Sequence, residues 1–261
     1  MTGTSRVRQE RGWSSTLPAW HRPLAVVAHP DDESFGLGAV LASFVAQGAA
    51  VGVLCLTHGE ASTLHGTPGD LRTLRAHELT TAAKALGVES VELLYHPDGA
   101  LANVDPALLT HQVTVAITRW QADGVVVFDA DGVTGHPDHA AATRAVTRAG
   151  SRAGPAVLAW TLPESVASQL NSELGTAFTG RPDHGPAGID LAITVHRDRQ
   201  LQAVHSHPSQ AVPGSALWRR LELLGEMEYL AWLPTGPAPI QAPGPHQRLV
   251  RTASNSAGKR A

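Results

Sequence analysis

Cysteine is almost missing from this chain: Cys55 is the only one among 261 residues. One cysteine excludes an intramolecular disulfide and any cysteine-based zinc site. It sits inside the apolar run Val51-Gly52-Val53-Leu54-Cys55-Leu56 and reads as a small core residue. Long apolar stretches are missing too. No run approaches the roughly 18 residues needed to span a bilayer. The first 22 residues carry charge but no apolar segment of the secretory kind. The expectation is a cytoplasmic protein with no membrane partner. Charge is also sparse, at 16% of residues with a formal net charge of −3. Nothing in that balance suits a polyanion, so nucleic acid is not an expected partner.

What is present is apolar material, 43% of the chain, enough for a sizeable core. Chains of this length are often a single domain in α/β proteins. Residues 1–22 are polar and irregular and read as an N-terminal extension. The domain proper is expected over 23–233, and the Pro/Gly-rich stretch 234–261 as a disordered tail. The pattern predicts strands near 24–28, 50–56, 91–95, 124–128 and 156–160. Helices are expected near 34–47, 72–86, 106–121 and 137–149. Asp105-Pro106 marks one helix start, and Gly48 and Gly87 mark helix ends. Residues 163–188 read as a long loop, 189–195 as a half-exposed strand, and 197–206 and 215–230 as helices. Strands alternating with helices, several strands almost wholly apolar, imply a mostly parallel sheet covered on both faces. Ligands bind beyond the carboxyl ends of strands in such sheets.

Two clusters lie at such ends. The first is Ala28-His29-Pro30-Asp31-Asp32-Glu33, directly after strand one. The second is Gly135-His136-Pro137-Asp138-His139, after strand four. A catalytic zinc usually takes three His, Asp or Glu ligands and keeps one position open for water. His29 and Asp32, three residues apart, can share a face in a first helical turn, and His139 can supply a third ligand. Asp31 and its neighbour Asp32 point apart, so one can hold a metal while the other acts as general base. A protonated His136 suits oxyanion stabilisation. Asp138 suits a place behind one of the histidines. The same residues admit plainer readings. Asp31, Asp32 and Glu33 can each cap a helix, and His136 or His139 alone can be a surface histidine. Capping, however, requires histidine at neither place.

The two clusters together resemble the signature of the LmbE-like / PIG-L zinc-dependent N-deacetylases, over about residues 24–150. His207-Pro208-Ser209-Gln210 is similar to a further element of that family. The resemblance implies a single-domain, Rossmann-like three-layer α/β fold. It implies Zn2+ on His29, Asp32 and His139, with another divalent ion such as Fe2+ also suited to the ligand types. It implies Asp31 as general base, His136 as transition-state stabiliser, and removal of an acetyl group from an amino-sugar-like small molecule. Arg75 resembles a substrate-binding arginine, against the plainer reading of a solvated helix face. Asp98 resembles an acid that contacts sugar hydroxyls, against that of a turn former. Glu33 and Asp138 are expected behind the ligands, and a structural role suits Glu60. One departure is plain: some members of the mycothiol pathway carry tyrosine where this chain has Thr134. The rival readings are a mycothiol-S-conjugate amidase and a non-catalytic carbohydrate- or nucleotide-binding module of the same fold. Only Gly36-Leu37-Gly38 follows strand one, so a dinucleotide fingerprint is not supported. The oligomeric state is not legible, and a homo-oligomer stays open.

Overall fold

The computed structural model describes residues 12–64, 70–150 and 154–235. Most of the tail expected over 234–261 therefore lies outside the described residues, as do residues 1–11. The chain begins with β1 (Pro23–Val27), α1 (Asp32–Phe35), α2 (Gly38–Ala46), β2 (Gly52–Thr57), α3 (Leu71–Leu86) and β3 (Ser90–His96). It continues through α4 (Pro106–Trp120), β4 (Gly124–Phe128), α5 (Pro137–Ala149), β5 (Ala156–Thr161) and α6 (Glu164–Leu174). It closes with β6 (Leu191–Thr194), α7 (Asp198–His205), α8 (Ala216–Leu224) and β7 (Met227–Leu233).

These residues form these elements for local reasons. Every residue of β1, β2 and β4 is buried, as a central parallel strand requires. Asp70 caps α3 by accepting from the Thr73 amide, and Gly87 closes it at φ 85°. Asp105 caps α4, with Pro106 in its first turn.

The sheet order is β3-β2-β1-β4-β5-β7-β6. The first five strands in the chain run parallel, and β7 runs antiparallel between β5 and β6. From β1 the chain winds outward through β2 and β3, then returns to β4 on the other side of β1. The carboxyl ends of β1 and β4 therefore flank the point where winding reverses, where a doubly wound sheet opens a crevice. Alternate strand residues serve two cores. Ala25, Val27, Val53 and Cys55 pack toward α2, α3 and α7. Leu24, Val26, Val125 and Val127 pack toward α4 and α5. Together they make a single-domain, three-layer α/β fold, and Cys55 is the buried core residue expected of it.

Four segments differ from the sequence reading. The helix expected over 34–47 is divided at Gly36-Leu37, where the amides of both residues donate to the Asp32 carbonyl; a side chain has no room at Gly36, since a Cβ there would sit 2.3 Å from Cζ of Phe128. The loop expected over 163–188 contains α6, which buries Ala167 and Leu170 and ends at Gly175 in the left-handed region. The helix expected over 215–230 stops at Gly225, and the chain re-enters the sheet as β7. Its one buried acid, Glu228, is held there by Trp160 Nε1 at 2.7 Å and Arg197 at 2.7 Å. Finally, residues 12–22 lie against the domain. Leu17 is buried, Trp20 stacks on Phe44 at 5.5 Å, and Ser14 pairs with Leu191 beside the edge strand β6.

Gly36→Ala tests how closely Phe128 packs on this residue. Overpacking a filled site commonly costs about 1–3 kcal/mol. A lowered urea midpoint with an unchanged slope, corresponding to a stability loss of that size, is the expected outcome. No loss would show that the site accommodates a side chain.

Candidate active site

The turn after β1 and the first turn of α5 meet across the crevice. Asp32 opens α1, and its Oδ2 accepts from the backbone amides of Ala28 (3.2 Å) and His29 (2.9 Å). Its Oδ1 lies 3.1 Å from His139 Nε2. His29 Nδ1 lies 3.2 Å from the same His139 nitrogen and 3.6 Å from Asp32 Oδ2. All three side chains are buried.

The far sides of both rings are engaged. His29 Nε2 faces Asp98 Oδ1 at 3.0 Å and Asp138 Oδ2 at 3.3 Å. His139 Nδ1 lies 3.1 Å from the Gly132 carbonyl and 2.9 Å from Thr134 Oγ1. These partners place the N–H of each neutral ring on its outer nitrogen. The inner nitrogens then turn lone pairs toward the Asp32 carboxylate. Facing lone pairs repel unless a proton or a cation lies between them.

The charge balance reflects this. Burial alone would lower the His29 pKa, but the Asp138, Asp32 and Asp98 carboxylates raise it well above the ordinary value. Burial alone would raise Asp32, but His139 and His29 hold its carboxyl well below the usual range. A divalent metal relieves the same conflict. With ligand bonds of about 2.0–2.2 Å, a tetrahedral site has donor atoms some 3.3–3.6 Å apart. His139 Nε2 lies slightly inside that spacing, 3.1 Å from Asp32 Oδ1 and 3.2 Å from His29 Nδ1, and His29 Nδ1 lies 3.6 Å from the other Asp32 oxygen. His29, Asp32 and His139 thus fit the group that the sequence implied. His136 also lies close enough for a set with the two histidines, and Asp98 and Asp138 form another with His29. The latter two acids meet His29 on its outer nitrogen, where they orient the ring.

Asp31 stands beside this triangle in an unusual conformation, φ 120° and ψ −26°. Side chains rarely adopt that region, so its neighbours must hold it there. Its amide donates to Glu33 Oε2 at 2.9 Å, and its carbonyl accepts from Ser34 and Phe35. Its carboxylate meets Arg75 at 3.2 Å. Burial pushes the Asp31 pKa up to about 6; the Arg75 cation lowers it and the Asp32 carboxylate adds to the rise.

His136 is the N-cap of α5, its Nδ1 accepting from the Asp138 amide at 3.2 Å. Its ring meets His29 edge-on at 4.7 Å. Burial lowers its pKa, and the His29 and His139 rings lower it further. With Nδ1 accepting from the Asp138 amide, the hydrogen of a neutral ring is carried by Nε2, and the lowered pKa disfavours the protonated form that the sequence also admits.

Two residues expected to face substrate are otherwise placed. Arg75 is buried beneath the turn, donating to the carbonyls of Gly59 (2.6 Å) and Pro30 and pairing with Asp31. Asp98 turns one oxygen to His29 and the other to the Ala61 amide at 2.8 Å. Glu33 is fully buried, and Asp138 also accepts from Gly99 and Leu101. Glu60 pairs with Arg72 at 2.9 Å. Sequence reasoning missed Thr134 as the partner of His139. It also missed Gln200, which donates to the carbonyls of Ser34 (3.1 Å) and Phe35 (3.2 Å) at the break after α1. No spacing signal marks either of them.

Residues 24–150 match the family described as GlcNAc-PI de-N-acetylase, PIG-L. The chain is similar to the 1D-myo-inositol 2-acetamido-2-deoxy-alpha-D-glucopyranoside deacetylase of Salinispora arenicola. Identity is 32% over 213 residues, covering 69% of this chain and 67% of that one. A protein of the same description from Kineococcus radiotolerans is 32% identical over 177 residues, 53% of this chain and 49% of its own. The chain spans about half the length of that relative and of its Rhodococcus opacus counterpart, 49% and 54%. Among solved structures, the zinc-inhibited form of teicoplanin deacetylase Orf2 matches with a TM-score of 0.60 at 21% identity, covering 81% of this chain and 97% of that one. GalB, the 4-carboxy-2-hydroxymuconate hydratase of Pseudomonas putida KT2440, matches with 0.58 at 19%, covering 90% and 99%. At these identities the structural likeness concerns fold alone, and a deacetylase and a hydratase share that frame. The relatives and the matched residues, which contain both strand-end clusters, establish that this chain belongs to the PIG-L (LmbE-like) family.

Proposed function

We propose that this chain is a zinc-dependent N-deacetylase that hydrolyses the acyl–nitrogen bond of an N-acetylated amino sugar or a conjugate of one. The observation that carries the reading is the convergence of His29 Nδ1, Asp32 Oδ1 and His139 Nε2, each with its outer side engaged. The relatives are named as deacetylases of a 2-acetamido sugar joined to inositol, and that supports the substrate class. A divalent metal held by His29, Asp32 and His139 supplies Lewis acidity toward the amide carbonyl and an acidified water. Fe2+ suits the same ligands, so zinc is specified by reconstitution rather than by ligand type.

The protein's own groups move the protons. Asp31 accepts one from the attacking water as oxygen adds to the carbonyl carbon. It returns that proton to the nitrogen as the C–N bond breaks, leaving acetate and a free amine. A carboxylate with a pKa near 6 serves this exchange better than an ordinary one, because it is ionised at neutral pH yet more basic. His136 donates its Nε2 hydrogen to the developing oxyanion. Asp98 and Asp138 keep the His29 ring in the tautomer that leaves Nδ1 free.

A metal-reconstituted amine-release assay across N-acetylated amino sugars and mycothiol S-conjugates tests the reading. Amine from the acetylated sugars supports it, while turnover confined to S-conjugates would make the enzyme an amidase. A protein that neither retains metal nor turns over any substrate would be a binding module.

Asp31→Asn should keep its metal and lose about 10²–10⁴-fold in turnover. Unchanged turnover would remove Asp31 as base. In the wild type, kcat/KM should fall on acidification through pH 6 or below, since the base must be ionised and a bound cation lowers its pKa. The same substitution should stabilise the metal-free protein. A carboxyl whose folded pKa is raised costs stability fully above that pKa, and the cost fades as pH falls toward the unfolded value near 4. Asp31→Asn should therefore exceed wild type at pH 7.5 by on the order of 1–3 kcal/mol, with the difference vanishing near pH 4. A difference independent of pH would show that the carboxyl is not perturbed.

His136→Ala should retain metal and lose about 10²–10³-fold in kcat, measured beside metal content. Loss of metal instead would make His136 a ligand.

A further inference from the structure

The turn around His207-Pro208-Ser209-Gln210 braces the site from behind. His207 is completely buried, and its Nε2 lies 2.7 Å from Glu33 Oε1. Ser209 donates its amide and hydroxyl to Glu78 at 3.0 and 2.6 Å. Gln210 Oε1 accepts from Ser62 Oγ at 2.8 Å. Each of these partners leads toward Asp31. Glu33 holds the Asp31 amide. Glu78 lies three residues beyond Arg75 on the same face of α3, and Arg75 holds the Pro30 carbonyl and the Asp31 carboxylate. Ser62 follows the Gly59 turn, whose carbonyl receives Arg75.

Asp31 needs such bracing. A residue at φ 120° keeps that conformation only where its surroundings over-determine it. Among the described residues the Glu33 carboxylate is the group that holds its amide, and that carboxylate is fixed in turn by Ser34 Oγ at 2.6 Å and His207. With the imidazole gone, one oxygen of a fully buried carboxylate would keep a single hydroxyl as partner, and Glu33 would turn to find another. We propose that His207 is a positioning residue: through Glu33 it holds the Asp31 backbone in the conformation that places the base beside Asp32. This rests on the reading of Asp31 as the base.

Two substitutions in full-length, metal-loaded protein separate positioning from bulk. His207→Leu fills the ring's space without a donor. His207→Gln keeps an N–H at about the reach of Nε2. Three readouts are taken: kcat and KM for amine release, metal content, and hydrogen exchange of the Asp31 amide by NMR. For His207→Leu, kcat should fall roughly 10- to 100-fold, the scale of a misplaced catalytic group, with KM within about threefold and metal content unchanged. The Asp31 amide should exchange at least about tenfold faster. His207→Gln should recover most of both. His207→Asn, too short to reach Glu33, should behave as Leu does and serves if the Leu variant does not fold. Retained kcat with slow exchange in the Leu or Asn variant would overturn the proposal. So would a Gln variant that falls as far as Leu. If wild type releases no amine from any substrate, the deacetylase reading fails, and the exchange comparison alone decides the role of His207.

Discussion

The carboxylate of Asp32 ties three separate parts of the chain together. One oxygen takes the amides that end β1, and the other faces His139 on α5, while the residue itself opens α1. A buried carboxylate is costly unless it is hydrogen-bonded and paired. Here it is both, and the pairing partners are the two rings that complete a metal-sized triangle. The stabilisation of Asp32 and the convergence of the donors are one arrangement. Neither histidine could be displaced without leaving the carboxylate buried and less compensated.

That arrangement needs α1 to stop where it does. If the helix ran on past Phe35, the carbonyls of Ser34 and Phe35 would be satisfied within it. Gly36 lies against Phe128, the helix breaks, and those carbonyls need partners from elsewhere. Gln200 supplies two hydrogen bonds from α7, and Arg220 supplies one to Phe35 from α8. Arg220 lies over the Trp160 ring at 4.9 Å, and burial lowers its pKa to about 10, opposed by Glu228. The clusters that carry the donors fall within residues 24–150, but the groups that hold α1 in place come from the last third of the domain.

Apart from the division between α1 and α2, the strands and helices up to β5 were legible because each is decided locally. All-apolar runs bounded by Gly and Asp-Pro signals leave little for tertiary context to alter. The donors were legible because histidine recurs at two strand ends, where capping alone would need only carboxylates. The rest was decided at a distance. A glycine inside a helical pattern costs only about 1 kcal/mol, so nothing local announces the division at Gly36-Leu37 or the Phe128 ring that leaves no room for a side chain there. Glu228 interrupts β7 as a sequence pattern, yet Trp160 and Arg197 make it a buried member of the sheet. Arg75 and Asp98 had residue types suited to sugar hydroxyls. Spacing cannot say whether a strand-end side chain faces the crevice or an adjacent ligand, and both face the protein.

The loop after β4 ties the segment beyond α6 to the site. Asp129 receives Arg181 through both oxygens, at 2.5 and 2.7 Å, and the Thr179 amide donates to the Val133 carbonyl at 2.7 Å. The segment following α6 is thereby fastened to a loop in which Val133 sits at φ 62°. Thr134, next in that loop, spends its hydroxyl on His139 Nδ1. A tyrosine at this position would carry its hydroxyl well beyond the reach of threonine's, so the residue here serves the histidine and cannot extend a phenol toward substrate. On the proposed mechanism, donation to the oxyanion from this side of the site then rests on His136. Its cap on α5 occupies Nδ1 and leaves Nε2 to carry the hydrogen, and burial, with the neighbouring rings, lowers its pKa. Thr134 joins this loop to His139, so a change in the segment beyond α6 that moves Val133 and Thr134 reaches one of the three donors, whereas Asp31 is held separately by Glu33 and Arg75.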